Sequence, residues 1–376
     1  MKSGKNLTII VAILVTGVLF GCNSQKKEAV VESDKTPVRF ALKRGVNISH
    51  WLSQSKVRGP ERADYFTKSD VDFIASIGYD HIRIPIDEEQ MWDEQGVKEA
   101  EAFTLLHNAI GWAIENNLKV IVDLHILRSH HFNEKEKPLW TDPNAQEQFY
   151  QCWRDLSAEL IKYPTDFVAY ELMNEPVADD PQEWNKLVAN ASKVVRENEP
   201  QRFIVIGSNM WQSASTFNEL EVPANDPYII LSFHFYNPFL LTHHTASWTD
   251  IAGYSGPVNY PGLLVEDADI AAIADDSLRL RIQRGNGVFN RDSLEAMMVL
   301  PFQKAESLNL QLYCGEFGCL PTVPREDLLQ WYRDMRSILE THEVGWTNWD
   351  YKGGFGIVDR QDGNKPIDDL IEVLVK

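Results

Sequence analysis

Short apolar runs alternate with longer stretches of helical spacing along most of the chain. "RGVNIS" (44–49), "HIRIPI" (81–86), "KVIVDLH" (119–125), "FVAYELMNE" (167–175), "FIVIGSN" (203–209), "YIILSFHFY" (228–236), "LYCGEFG" (312–318) and "VGWTNWDY" (344–351) are rich in β-branched and aromatic residues, a composition that suits buried strands. Between them, apolar residues recur every three or four positions, as at Phe103, Leu106, Ile110 and Ile114, or at Leu328, Leu329, Tyr332, Met335 and Leu339. That spacing gives a helix one face to bury. Strand and helix alternating eight times, with no close internal repeat, predicts an α/β fold, a parallel (β/α)8 TIM barrel in a single domain. Pro301 interrupts the helical pattern between Asp292 and Leu308, so a kink or two separate pieces is expected there.

Several of these strands run apolar first and polar last. Arg83, His125, Asn174, Glu175, Asn209, His234, Tyr236, Glu316 and Trp349 fall at or near strand C-termini. In "AYELMNEPVA" (169–178) an amide and a carboxylate close a buried run, and both groups are costly to desolvate. A barrel resolves the conflict, because the C-terminal ends of its strands open into the loops that carry the site. One polar residue at a strand end is usually structural, but seven of eight strands sharing the feature indicates a site. Glu171 differs, since four residues of extended chain place it roughly 13 Å deeper than Glu175. It reads as a buried structural carboxylate bonded to a neighbouring strand.

Composition narrows the partners. Among 376 residues, 36 are Lys or Arg and 55 are Asp or Glu, a formal charge of −19. Nucleic acid is an unsuitable partner for so acidic a chain, and an uncharged ligand suits it better than an anion. Lys2 and Lys5 precede an apolar run from Leu7 to Phe20 and then Gly21 and Cys22, the layout of an exported precursor with a run too short for an ordinary membrane span. "LFGC" resembles the bacterial lipoprotein signal, which implies cleavage after residue 21 and lipid on Cys22. Residues 22–36 then form a polar tether, and 37–376 the barrel domain. Removing residues 1–21 takes away two Lys, leaving 34 basic against 55 acidic side chains, a balance of −21. Asn23 follows the Cys, so by analogy with lipoprotein sorting the expected location is the outer membrane or cell surface of a bacterial envelope, held by the lipid alone. Cys152, Cys314 and Cys319 form no disulfide framework and read as buried thiols.

Glu175 and Glu316 would stand on one rim, at the fourth and seventh strands. Two carboxylates so placed suit glycosidic hydrolysis, one protonating the leaving oxygen and the other attacking the anomeric carbon or activating water. The motifs "HIRIP", "DLH", "ELMNEP", "SFHFY", "CGEFG" and "TNWDYKGGFG" resemble glycoside hydrolase family 5 over nearly everything after residue 40. The resemblance implies Glu175 as general acid/base and Glu316 as nucleophile, in a retaining double displacement. It also implies substrate contacts from Arg83, His125, Asn174, His234, Tyr236 and Trp349. Arg83 and Tyr236 would hydrogen-bond Glu316 and favour its ionised form, Asn174 would hold the sugar 2-hydroxyl, and Trp349 would stack beneath the ring. No metal or organic cofactor is implied, and a monomer is expected. The segment "ILRSHHFN" after "DLH" departs from the Pro-Gly or Gly-Gly loops frequent in that family.

The expected substrate is a neutral β-linked glycan, a β-1,4-glucan first, with β-mannan, xyloglucan or β-1,3-glucan as alternatives. Trp51 and Trp211 follow the first and fifth strands, positions from which they would face the cleft. Trp248 and Tyr260, in a connection of over fifty residues that begins at Asn237, are further candidates for sugar contact, and that connection is expected to form an ordered wall. Two rival readings stand. A metal-dependent hydrolase would gather Asp123, His125, His130, His131 and His234, and a non-catalytic glycan-binding lipoprotein would keep only the barrel and its aromatic platform.

Overall fold

The computed structural model describes residue 1 and residues 38–376. The expected signal segment, Cys22 and the tether lie outside the described residues. Eight strands close a barrel in chain order: β1 (Arg44–Asn47), β2 (His81–Asp87), β3 (Lys119–Ile126), β4 (Val168–Glu171), β5 (Ile204–Gly207), β6 (Ile229–Phe235), β7 (Gln311–Phe317) and β8 (Gly345–Asn348). Every neighbouring pair is parallel, and β8 pairs with β1. The two helices marked by periodicity span Ala100–Glu115 and Arg325–Thr341. Around Pro301 the chain forms two pieces, Arg291–Met297 and Val299–Leu308. The break falls at Met298, just before the proline, which lacks the N–H that would bond back across it.

Period-two alternation decides what enters the barrel. Ile121, Ala169, Val205, Ile230 and Tyr313 point inward and pack with Phe40, Leu42 and Phe203 as an apolar floor. Val120, Val122, Val168, Ile204, Ile206, Ile229 and Leu231 belong to the outer core against the helices. Two residues further along each strand, the inward positions become Asp123, Glu171 and Ser232, all fully buried. A further step on β3 and β6 brings His125 and His234 to the mouth. The interior is thus apolar at its base, charged at mid-height and open at the top.

β2 and β3 run one residue past the ends read from the sequence, whereas others stop well short of theirs. β4 ends at Glu171, and β8 at Asn348, so Asn174, Glu175 and Trp349 ride on loops beyond the ladder. The chain after β4 keeps only single bonds to its neighbours, from the Leu172 amide to the Val205 carbonyl (3.2 Å) and from the Asn174 amide to the Leu124 carbonyl (3.1 Å). Arg83 departs in the other direction. It is the third residue of the seven in β2, and its length carries the guanidinium up from mid-barrel. The long connection after β6 is ordered, with helices at Asp267–Ala271 and Asp276–Gly285 and a short antiparallel pair, Gly262–Leu263 with Val288–Phe289. Cys152, Cys314 and Cys319 are free and buried.

Candidate active site

Arg83 organises the mid-barrel layer. Its Nε donates to Glu171 Oε2 (2.6 Å), Nη1 to Asn47 Oδ1 (2.9 Å) and Glu316 Oε1 (2.9 Å), and Nη2 to Asn174 Oδ1 (2.8 Å), with Asp123 Oδ2 at 3.0 Å. One buried cation therefore faces three buried carboxylates, at Asp123, Glu171 and Glu316. Burial raises the Asp123 carboxyl to about 7 against the opposing pull of Arg83. Asp123 Oδ2 also accepts from His125 Nδ1 at 2.7 Å. Burial holds His125 down at about 3, so the ring is neutral and turns its free Nε2 toward the cavity.

Glu316 reaches the mouth through an irregularity in β7. Phe233 pairs with Cys314 but His234 pairs with Glu316, so one extra residue, Gly315, is accommodated between them. A Cβ on Gly315 would lie 2.9 Å from Ser232 Oγ and 3.1 Å from His234 Nε2. Glycine at this bulge is what lets His234 stand beside Glu316. Tyr236 donates its hydroxyl to Glu316 Oε2 at 2.8 Å. His234 Nδ1 lies 3.0 Å from Glu175 Oε1 and 3.6 Å from Glu316 Oε2.

The two carboxyl groups differ in environment. Glu175 is pushed well above the usual carboxylate range by burial and then by the charge of Glu316. Glu316 is also raised by burial, but Arg83 and the Tyr236 hydroxyl pull it back. The arrangement favours a protonated Glu175 beside an ionised Glu316. Burial keeps His234 neutral. One ligand atom each of Glu175, His234 and Glu316 lies within 4.8 Å of the other two, so one oxygen of each carboxylate approaches the other that closely.

These groups line a cavity of about 1050 Å³. His125, Asn174, Glu175, His234, Tyr236, Glu316 and Trp349 all border it, while Arg83 lies beneath. Asn174 Nδ2 is buried and has no hydrogen-bond partner among the described residues. Trp349 lies parallel to the His125 ring at 5.6 Å, with 7° between planes. Trp211 and Trp248 border the same cavity, 44% and 60% exposed, together with Phe239.

Two of the aromatic expectations are corrected. Trp51 is buried, donates its indole N–H to the Arg62 carbonyl (2.8 Å) and packs on Phe66, because the chain turns inward after β1. It borders a separate depression of about 680 Å³ that contains neither carboxylate. Tyr260 is likewise buried, with its hydroxyl on Asp334 Oδ2 at 2.7 Å. The five residues considered for a metal do not converge. Asp123 and His125 bond each other, and His130 Nε2 accepts from the Val177 amide at 3.2 Å. The cluster that has metal-like spacing among the described residues is Glu175, His234 and Glu316, the same trio that the hydrolytic reading uses. Sequence reasoning did not reach Asn47, which shares Arg83 Nη1 with Glu316, or Gln212, which touches Glu175 and Glu171. The polar Asn47 in an apolar first strand and the Gln directly after "NMW" were the available signals.

A model of the cellulase family, glycosyl hydrolase family 5, matches residues 44–354. Endoglucanase C of Acetivibrio thermocellus is 30% identical over 341 residues, covering 89% of this chain and 98% of that protein. Cellodextrinase A of Ruminococcus flavefaciens is 28% identical over 308 residues, covering 80% and 83%. Among solved structures, Thermotoga maritima Cel5A in complex with cellobiose superposes with a TM-score of 0.71 at 23% identity, over 89% of this chain and 97% of that one.

Proposed function

The chain belongs to glycosyl hydrolase family 5, and from that premise we propose that it hydrolyses internal β-1,4 bonds of a glucan with net retention, Glu175 acting as acid/base and Glu316 as nucleophile. The observation that carries this reading is that one oxygen of each carboxylate lies within 4.8 Å of the other on the wall of an open cavity. Retaining pairs stand about 5 to 5.5 Å apart, and inverting pairs roughly 6.5 to 9.5 Å so that a water fits between. Arg83 and Tyr236 hold Glu316 in place, ready to attack the anomeric carbon. Glu175 delivers its proton to the leaving oxygen, then takes one from the water that releases the glycosyl-enzyme.

The glucan preference rests on the similarity to the endoglucanase and the cellodextrinase. β-Mannan, xyloglucan and β-1,3-glucan are the competing substrates. Endo action draws support from the exposed aromatic residues that border the cavity, Trp211, Phe239 and Trp248. They offer a surface to sugars beyond the scissile bond. Proton NMR of the first product from a cello-oligosaccharide is expected to show the β-anomer before mutarotation. An initial α-anomer would overturn the mechanism, and product sizing on the competing glycans checks the substrate.

The lipid anchor on Cys22 and an outer-membrane or surface location belong to the same proposal, supported by the "LFGC" pattern and Asn23. Cys22→Ser is expected to release the enzyme from the membrane fraction, and an unchanged distribution would refute the anchor.

A further inference from the structure

Glu175 sits in the left-handed region, with φ 44°, although it is not glycine. On the neighbouring loop, after β5, three consecutive residues do the same: Met210 at φ 56°, Trp211 at 60° and Gln212 at 51°. Left-handed backbone is unfavourable for residues with a Cβ, and a run of them persists only where its surroundings over-determine it. The two segments are tied together. Trp211 donates its amide to the Pro176 carbonyl (3.2 Å), and the Asn209 side chain accepts from the Ala178 amide (2.9 Å) and donates to the Ala178 carbonyl (2.8 Å).

The left-handed run turns Trp211 out to the cavity and Gln212 inward, where it is fully buried. Gln212 Oε1 accepts from the backbone amide of Glu175 (3.1 Å), and its Nε2 donates to Glu171 Oε1 (3.1 Å). The other oxygen of Glu171 is held by Arg83, which in turn holds Glu316. A continuous chain of hydrogen bonds thus runs from Glu316 through Arg83, Glu171 and Gln212 to the backbone of Glu175. Space for Gln212 is reserved by Gly207, where a Cβ would lie 2.3 Å from Gln212 Nε2 and 2.4 Å from its Cγ.

We propose that Gln212 is a positioning residue for proton donation, fixing the strained backbone of Glu175 to the network that holds Glu316 so that the acid keeps its distance from the nucleophile. The inference rests on the acid/base assignment of Glu175. Without Gln212, Glu316 retains Arg83 and Tyr236, whereas the Glu175 amide loses its acceptor and its strained φ is held only indirectly, through the bonds of Pro176 and Ala178. Attack continues and protonation suffers.

The test uses Gln212→Met, which keeps the volume and removes both bonds, and Gly207→Ala, which displaces the Gln212 side chain without altering its chemistry. Each is assayed with a 2,4-dinitrophenyl β-cellobioside, whose leaving group needs no proton, and with a cello-oligosaccharide, with active sites counted by burst titration. Both variants are expected to lose roughly 10- to 100-fold in kcat/KM on the oligosaccharide and less than about threefold in the burst rate on the activated substrate. Equal losses on the two substrates, no loss on either, or failure of both variants to fold would overturn the proposal and assign Gln212 to the stability of the fold. Glu175→Ala is run alongside. If it shows no leaving-group dependence, the acid/base assignment itself fails; if it does and the other two variants do not, only the role of Gln212 fails.

Discussion

Glu316 and Glu175 arrive at one cavity from differently built regions. Glu316 lies within β7, and side chains from β2 and the end of β6 grip both its oxygens. Glu175 stands four residues past the end of β4, in a left-handed conformation; its backbone is held by Gln212, and its carboxyl meets the neutral imidazole of His234, which does not pin its charge. The difference matches what each must do in the proposed mechanism. A nucleophile needs its charge fixed and its approach line constant. An acid/base must give up a proton and take one back, so side-chain bonds that pinned its charge would work against it. Holding the backbone leaves the carboxyl free to change charge.

The largest expected effect tests the strand-held side. Glu316→Ala is expected to lower kcat on the order of 10⁵-fold on every substrate, because no other carboxylate occupies its position. Glu175→Ala is expected to lose about 10²- to 10⁴-fold on an unactivated glycan while still forming the glycosyl-enzyme from an activated aryl glycoside, and added azide is expected to restore turnover. Steady-state rates, a burst measurement and product analysis separate the two. If both variants lost equally on both substrates, the division of labour would be wrong.

The same division is readable in pH. The proposed mechanism requires Glu316 ionised and Glu175 protonated, so kcat/KM is expected to fall at low pH as Glu316 gains a proton and at high pH as Glu175 loses one. Tyr236→Phe removes a hydrogen bond to the ionised form of Glu316. Its carboxyl then rises, and the acid limb is expected to move to higher pH by about one to two units, the equivalent of a bond to a charged group. The basic limb should move much less, because Tyr236 does not bond Glu175. A shift confined to the basic limb would reverse the assignment of the two carboxylates.

Legibility in the sequence follows the same boundary. His125 and His234 lie on strands, where period-two patterning and apolar neighbours mark both the element and the face; Glu316 lies on one too, but the bulge at Gly315 puts it out of step with Tyr313, so its motif and not the alternation marked it. The whole barrel order was readable for that reason. Glu171 was legible as a buried structural carboxylate, although the chain between it and Glu175 leaves the extended ladder on which its depth was reckoned. The off-strand geometry was not. Nothing in "LMNEP" announces that the ladder stops at Glu171, because Leu172 and Met173 are as buried as strand residues. Arg83 was placed near a strand end because its guanidinium acts there, whereas its backbone lies deeper. Trp51 and Trp211 followed strands in the same way, yet the chain turned one into the core and the other into the cavity. That choice depends on loop dihedrals such as φ 60° at Trp211, which residue type does not encode.

The smallest expected effect probes the rim beyond Glu175. Because the acid of the proposed mechanism protonates the leaving oxygen, the departing sugars extend past Glu175, where an exposed aromatic on the border of the cavity can meet them. Trp248 belongs to the connection after β6, is 60% exposed, and meets His243 only edge-on with ring centroids 6.2 Å apart. So exposed an indole contributes little to folding, and Trp248→Ala should leave the melting temperature nearly unchanged. Stacking on a sugar face is comparable with other aromatic contacts, about 0.5–1.5 kcal/mol, so kcat/KM should fall roughly 2- to 12-fold. The loss should appear only with oligosaccharides long enough to extend past the scissile bond, and vanish with aryl cellobiosides, which place no sugar there. A chain-length series of cello-oligosaccharides against one aryl cellobioside measures this directly. Equal losses on both would put Trp248 on the nucleophile's side of the cleft and remove the aromatic support for endo action.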